Sequence, residues 1–287
     1  MQIRIGTRAS KLAMIQANIV AAKLDCPYEI IPITTSGDKE LSKPLYDIGG
    51  KALFIKELEE ALLADKIDIA VHSLKDMPGI LPKGFVIAAM LEREDPCDAL
   101  VSKVATKISD LPKGAIVGTS SPRRMAYLKS LRPDLTLVNL RGNVDTRVGK
   151  IISGDLDATI LSYAGLKRLG IVPNDICTPI ETSEIIPAIG QGVIAIETLE
   201  KKKDICNRLN HQMTFDLMQA ERAYLEHLGA DCKTPAAAYA RIENNQMICN
   251  FMMAHDDLSN ILEHRLNADI QDAYKVGKLA AEWMKAQ

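Results

Sequence analysis

A chain of 287 residues is long for one core, because single cores stop growing at about 250 to 300 residues, so two or three domains are expected. Its hydrophobic share of 47% and charged share of 25% are ordinary for a globular protein, which excludes the disordered and fibrous classes. A net charge of -2 gives no field to attract nucleic acid or anionic membrane, an aromatic share of 4% leaves few rings to stack on bases, and no apolar run approaches the ~20 residues of a membrane span. In chain order, Gln2 to Thr7 alternates as a strand, Ser10 to Leu24 carries a helical apolar face, and Tyr28 to Thr34 is a second strand. The spacing of Phe54, Leu58, Ala61 and Leu62 predicts a helix over Lys51 to Lys66, followed by a buried strand at Ile67 to His72 and another at Phe85 to Met90. The charged stretch Glu92 to Asp98, with Pro96, reads as a first crossing into a second set of elements. That set comprises strand Ala115 to Gly118, helix Pro122 to Leu131, strand Leu135 to Leu140, helix Val144 to Ser153 and strand Ala158 to Leu161.

Pro187 to Gly192 reads as the return crossing and Val193 to Glu197 as a strand. A helix near Thr214 to Leu228, short strands at Ala236 to Arg241 and Met247 to Met253, and a closing helix from Asp269 to Lys285 suggest a small α+β unit. The expected division is residues 1–93 with 190–211, residues 94–189, and residues 212–287. The N-terminus lacks the apolar segment of a secretory signal, and the six cysteines lie without close pairs, so reduced thiols, a cytoplasmic address and no metal site are expected.

The basic residues fall just past the carboxyl ends of predicted strands, where open α/β sheets bind ligands. Arg8 and Ser10 follow the first strand, and Lys75 and Asp76 follow the strand ending at His72. In GTSSPRR, from Gly118 to Arg124, two hydroxyls and Pro122 open a helix whose free N–H groups can face an anion. Capping explains Ser120, Ser121 and Pro122, but Arg123 and Arg124 oppose the helix dipole unless an anion is present. LRGNVDTR repeats the arrangement with Arg141 and Arg147, Gly142 permitting a tight turn and Asn143 or Asp145 capping. Arginine binds carboxylates bidentately, so an arginine-weighted cluster fits a ligand with several carboxylates. Taken singly, Arg147 also reads as a solvated side chain, Asp76 with Lys75 as a surface ion pair, and His72 as a buried strand residue. Cys232 reads either as an inert thiol or as one activated beside Lys233.

The strings GTRASKLA, GGKALFIKELE, DIAVHSLKDMP, EREDPCDAL, GTSSPRR, LRGNVDTR, AGLKRLG and PAIGQG, in this order from Gly6 to Gly192, closely resemble the porphobilinogen deaminase family. The resemblance implies an α/β fold with two periplasmic-binding-protein-like domains flanking a cleft and a small α+β C-terminal domain carrying the cofactor cysteine. It also implies a transferase, acting as a monomer, that condenses four porphobilinogen units on a dipyrromethane primer and then releases hydroxymethylbilane by hydrolysis. By position, Cys232 matches the thioether-bearing cysteine and Asp76 the catalytic carboxylate, which would stabilise the azafulvenium-type cation left when ammonia departs. Lys75, Ser120, Ser121, Arg123, Arg124 and Arg141 match cofactor-binding positions, and Arg8, Ser10, Lys51, Arg147 and Gln191 substrate-binding ones. Where relatives have Gly-Gly before that cysteine, this chain has Ala230 and Asp231, and Ser36 and Asp47 stand where some carry basic residues. A non-catalytic anion binder and a cysteine hydrolase are the competing classes, the latter with no recognisable partner motif among five histidines.

Overall fold

The computed structural model describes residues 2–36, 55–171, 176–229, 234–255, 257–258 and 260–287. Cys232, Lys51 and Asp47 lie outside them.

The first sheet has strand order β2-β1-β3-β10-β4, built from β1 (Ile3–Arg8), β2 (Tyr28–Ile33), β3 (Ile69–Ser73), β4 (Phe85–Met90) and β10 (Ile194–Leu199). The second has order β7-β6-β8-β5-β9, from β5 (Asp98–Ser102), β6 (Ile116–Gly118), β7 (Thr136–Val138), β8 (Ala158–Ser162) and β9 (Cys177–Ile180). Each sheet has three parallel strands next to an antiparallel one, β10 in the first and β5 in the second. Each antiparallel strand is therefore the first one formed after the chain crosses from the other sheet, which makes residues 91–97 and 181–193 the two crossings. Helices α1 (Lys11–Ala21), α2 (Lys56–Leu63), α3 (Pro122–Leu131), α4 (Val144–Ile152) and α5 (Tyr163–Leu169) accompany these sheets. A third, antiparallel sheet of β11 (Ala236–Glu243), β12 (Gln246–Ala254) and β13 (Ile261–Ala268) is covered by α6 (Gln212–Leu228) and α7 (Ala273–Lys285). Its core joins Tyr224 to Phe251, with ring centroids 4.8 Å apart.

Local chemistry accounts for the element ends that matter. Ser10 caps α1 by accepting from the Ala13 N–H at 3.4 Å, and Ser121 caps α3, with Pro122 at the first turn. Asn143 occupies the N-cap of α4 but makes no side-chain cap bond, contrary to the sequence expectation. The turn before α4 relies on Gly142 at φ +107°, whose carbonyl accepts from Arg147 Nε at 2.9 Å. At the return crossing Gly192 has φ +91°, and a Cβ there would collide with the Glu94 carbonyl of the other crossing.

The sequence reading missed β5, β9, β13 and α5; of the helix read over Lys51–Lys66, residues 51–54 lie outside the described residues and α2 spans Lys56–Leu63, ending before Lys66. The segment read as a charge run after β10 forms a 3-10 helix, Glu200–Leu209. Asp98, read as part of a crossing, is the first residue of β5 and fully buried. Among the described residues, no helix is long and apolar enough to cross a membrane.

Candidate active site

β3 ends in a short 3-10 turn, Leu74–Asp76, which lifts Lys75 and Asp76 above the carboxyl end of the first sheet. Leu74 and Met77 anchor the turn in an apolar cluster with Ile55, leaving the Asp76 carboxylate exposed. A small cavity beside it is lined by Arg8, Gln16, Ile55, His72, Ser73 and Asp76. Gln16, which the sequence reading passed over, donates to Ser73 Oγ at 2.8 Å and so ties α1 to the strand that delivers Asp76. Its signal was a polar residue at a buried position of an otherwise apolar helix face.

At the carboxyl end of β6 in the second sheet, the GTSSPRR segment is tied inward. Asp98 receives Arg123 Nη2 on one oxygen and Arg124 Nη2 on the other, each at 2.7 Å, and Gln191 Nε2 at 2.9 Å. Arg123 also donates to the Ile186 carbonyl at 2.8 Å, while the buried Nε atoms of Arg123 and Arg124 have no partner. Burial opposes the Asp98 charge, but Arg123 and Arg124 together hold its carboxyl well below the ordinary carboxylate range. Ser120 donates to Asn139 Oδ1 at 2.6 Å and engages the Leu140 carbonyl, fixing the end of β6 against the chain that leads to Arg141.

Gln191 is fully buried, donates to the Pro96 carbonyl at 2.8 Å, and accepts from Lys75 Nζ at 3.4 Å. With no exposed surface of its own, it reaches the neighbouring charged groups through Lys75 and Asp98. Burial lowers the Lys75 ammonium to about 8, with Asp76 opposing that shift and Arg124 adding to it. Burial also lowers Arg147 to about 10, helped by Arg124 and Arg141 and opposed by Asp76. These mutual influences bring Lys75, Arg123, Arg124, Arg141 and Arg147 into one electrostatic neighbourhood, with Arg8 joining at the Asp76 cavity. Two carboxylates, Asp76 and Asp98, face these cations, so the site carries a large positive surplus. Such a surplus, partly desolvated and with orphaned guanidinium N–H groups, fits a ligand bearing several carboxylates.

The crossings themselves are clamped by the third sheet's helix. Glu221 of α6, fully buried, accepts from Arg93 Nη1 at 2.6 Å, from the Gly190 N–H at 2.8 Å and from the Ala240 N–H at 2.8 Å. Arg93 Nε donates to the Gln191 carbonyl at 2.9 Å, and Arg168 Nη2 to that of Gly192 at 2.7 Å. Helix α6 ends at Gly229 in the left-handed conformation, and the chain is described again from Thr234 just before β11. The described cysteines, Cys26, Cys97, Cys177, Cys206 and Cys249, are free thiols. Among the described residues, no group of three or more His, Cys, Asp or Glu side chains could hold a metal ion.

A family model described as porphobilinogen deaminase, dipyromethane cofactor binding domain, matches residues 3–207, and one described as porphobilinogen deaminase, C-terminal domain, matches residues 215–286. The chain is 50% identical over 294 residues to the porphobilinogen deaminase of Rickettsia typhi, covering 99% of this chain and 98% of that one. It is also 50% identical over 290 residues to that of Orientia tsutsugamushi, covering 98% and 97%. Among solved structures, the periplasmic VFT2 domain of Bordetella pertussis BvgS matches with a TM-score of 0.42 and 12% identity, covering 77% of this chain and 92% of that one.

Proposed function

The chain belongs to the porphobilinogen deaminase family, and from that premise we propose how its own residues carry the reaction. The enzyme is a transferase that condenses four porphobilinogen units stepwise onto a covalently bound dipyrromethane primer, then releases hydroxymethylbilane by hydrolysis. What dipyrromethane supplies when bound is a nucleophilic pyrrole carbon. Cys232 is its attachment point by position in the family pattern, between the end of α6 and the start of β11.

Asp76 is the catalytic carboxylate. It faces the reacting pyrrole, offsets the positive charge that develops as ammonia leaves, and takes up or returns the protons of ammonia loss and rearomatisation. Lys75, Ser120, Ser121, Arg123, Arg124 and Arg141 hold the acetate and propionate groups of the cofactor. Arg8, Ser10, Arg147 and Lys51 hold those of the incoming unit, and Gln191 contributes by orienting Lys75. The surplus of partly buried cations around one exposed carboxylate carries this assignment, since a growing polypyrrole adds carboxylates with every unit. Asp98 fixes the orientation of Arg123 and Arg124 so that their remaining N–H groups are ready for those carboxylates.

We assign residues 1–93 with 190–211 to the first domain, 94–189 to the second and 212–287 to the third, and we expect a cytoplasmic monomer. The deciding experiment feeds purified protein with porphobilinogen and follows uroporphyrin I colour after acid oxidation, alongside intact-mass measurement. The reading predicts colour and an added mass of two linked pyrroles, lost in Cys232→Ser. An unmodified mass that stays unmodified in the presence of porphobilinogen would favour the non-catalytic anion binder.

A further inference from the structure

Behind the Asp76 turn, on the face of the first sheet away from α1, lie three ionisable side chains that the reaction above does not use. Ile69, Val71, Ile194 and Ile196 point toward the α1 side, and Ala70 and Ala195 belong to the clusters on the opposite face. His72 is opposite Ala195 in register and Glu197 opposite Ala70, so both alternate onto that second face. There His72 Nε2 lies 2.9 Å from Glu197 Oε2, with both side chains buried. Helix α2 covers this face through Leu58, Ala61 and Leu62 and contributes the carboxyl of Glu59.

The hydrogen-bond pattern is incomplete in a specific way. Glu59 Oε1 and Glu197 Oε1 are both shielded from solvent and both lack a partner. Two carboxylates with unpartnered oxygens in one apolar space repel each other unless a proton lies on one of them. Glu197 already has His72 as a partner, and Arg222 of α6 lies within its electrostatic reach. Glu59 accepts no hydrogen bond from His72 and is not within that reach of Arg222, so the proton belongs on Glu59. Burial pushes the Glu59 carboxyl up to about 7, with Glu197 adding to the rise and His72 opposing it.

We propose that Glu59 and Glu197 form a buried acid pair holding one proton, braced by His72, and that this proton seats α2 against the turn that presents Lys75 and Asp76. The mechanical connection is short. Ile55, at the start of α2, packs with Leu74 and Met77, the two residues flanking Lys75 and Asp76. Downstream of the turn, Arg222 Nη2 donates to the Pro78 and Gly79 carbonyls, each at 3.0 Å, with Glu226 as its other acidic neighbour. Losing the proton places a negative charge on Glu59 beside the Glu197 carboxyl, loosens α2 and lets the turn drift. Glu59 is thus a positioning residue, and that role rests on the deaminase reading, whereas the shared proton does not.

Infrared titration of the cofactor-loaded enzyme tests the proton directly, comparing wild type with Glu59→Gln, which mimics the protonated group. The carbonyl stretch of a protonated carboxyl should persist above about pH 5, fade through about pH 7, and be absent from Glu59→Gln. No such band in wild type, or the same band in the variant, overturns the acid pair. The ratio of Glu59→Gln turnover to wild-type turnover should rise about threefold or more between about pH 6 and pH 8, since only wild type loses the proton. A flat ratio overturns the positioning role, because a merely structural glutamate would change the rate equally at both pH values. If wild type consumes no porphobilinogen, the deaminase reading fails while the infrared result still decides the acid pair.

Discussion

Asp98→Asn is the sharpest test of how the site is held together, because it removes one charge and preserves shape at a fully buried position. In the folded protein Oδ1 accepts from Arg124 and Gln191, and Oδ2 from Arg123, so every partner of this carboxylate is a donor. Whichever way an asparagine is turned, its NH2 faces another N–H group, and two buried guanidiniums lose the one carboxylate that pairs with them among the described residues. Removing one partner from a buried ion pair costs about 3 to 5 kcal/mol, and of the two guanidiniums only Arg123 keeps another acceptor among the described residues, the Ile186 carbonyl. In a urea titration that corresponds to a midpoint lower by about 1 to 2.5 M for a slope of about 2 to 3 kcal/mol per M. The comparison belongs in a Cys232→Ser background, where no cofactor carboxylate can substitute for Asp98. Two guanidiniums hold the Asp98 carboxyl below its unfolded value, so its contribution is complete above about pH 4 and shrinks in stronger acid, where wild type and variant should converge. A midpoint shift below about 0.3 M at neutral pH would refute the reasoning, because it would mean the guanidiniums find other partners at little cost.

Asp76→Asn should lower hydroxymethylbilane formation by about 100- to 1,000-fold while leaving the urea midpoint unchanged, since the carboxylate is exposed and its turn is anchored by Leu74 and Met77. Burial lowers Lys75 to about 8, so the folded chain releases this proton before the unfolded chain does, and its contribution to stability rises with pH above about 8. Polyanion binding runs the other way: elongation should decline above about pH 8, and Lys75→Arg should move that decline to higher pH, as read from burst kinetics. In the third sheet's helical layer, Gly277→Ala would drive a Cβ into the Ala220 carbonyl and to 2.9 Å from Ala223 Cβ. It should cost about 1 to 3 kcal/mol by separating α6 from α7, seen as a lower melting temperature.

The sequence made the parallel parts of both sheets legible, because each strand there is an apolar run followed by a helix with its own period. It did not reveal β5, whose five residues follow Pro96 in a charged stretch and whose place depends on pairing with β8, some sixty residues later. β9 contains Pro179, which argues locally against a strand and is tolerated here at a sheet edge. The candidate site's charged residues were read from their position after strands, and the structure brings Lys75, Arg123, Arg124, Arg141 and Arg147 into one electrostatic neighbourhood. Their orientation was not, since Arg123 and Arg124 look outward when only their helix is considered. The acceptor that turns them inward is 25 and 26 residues away. An aspartate opening an apolar strand, with two arginines lacking an assigned partner, was the available clue.

Asp98 and Glu221 are fully buried acidic residues, and every partner of each side chain is a donor from the crossings, α3 or β11. Asp98 neutralises part of the charge on Arg123 and Arg124 without reaching the cleft, which keeps the cations together before any ligand carboxylate arrives. Gln191 joins that pair to Lys75, and its own carbonyl accepts from Arg93, which Glu221 holds. A continuous chain of buried donors and acceptors therefore runs from β11, through both crossings, to the guanidiniums of α3. Because Glu221 sits on α6, in the third sheet's helical layer, both crossings and the guanidiniums of α3 are linked through one buried carboxylate at each end of that hydrogen-bonded chain.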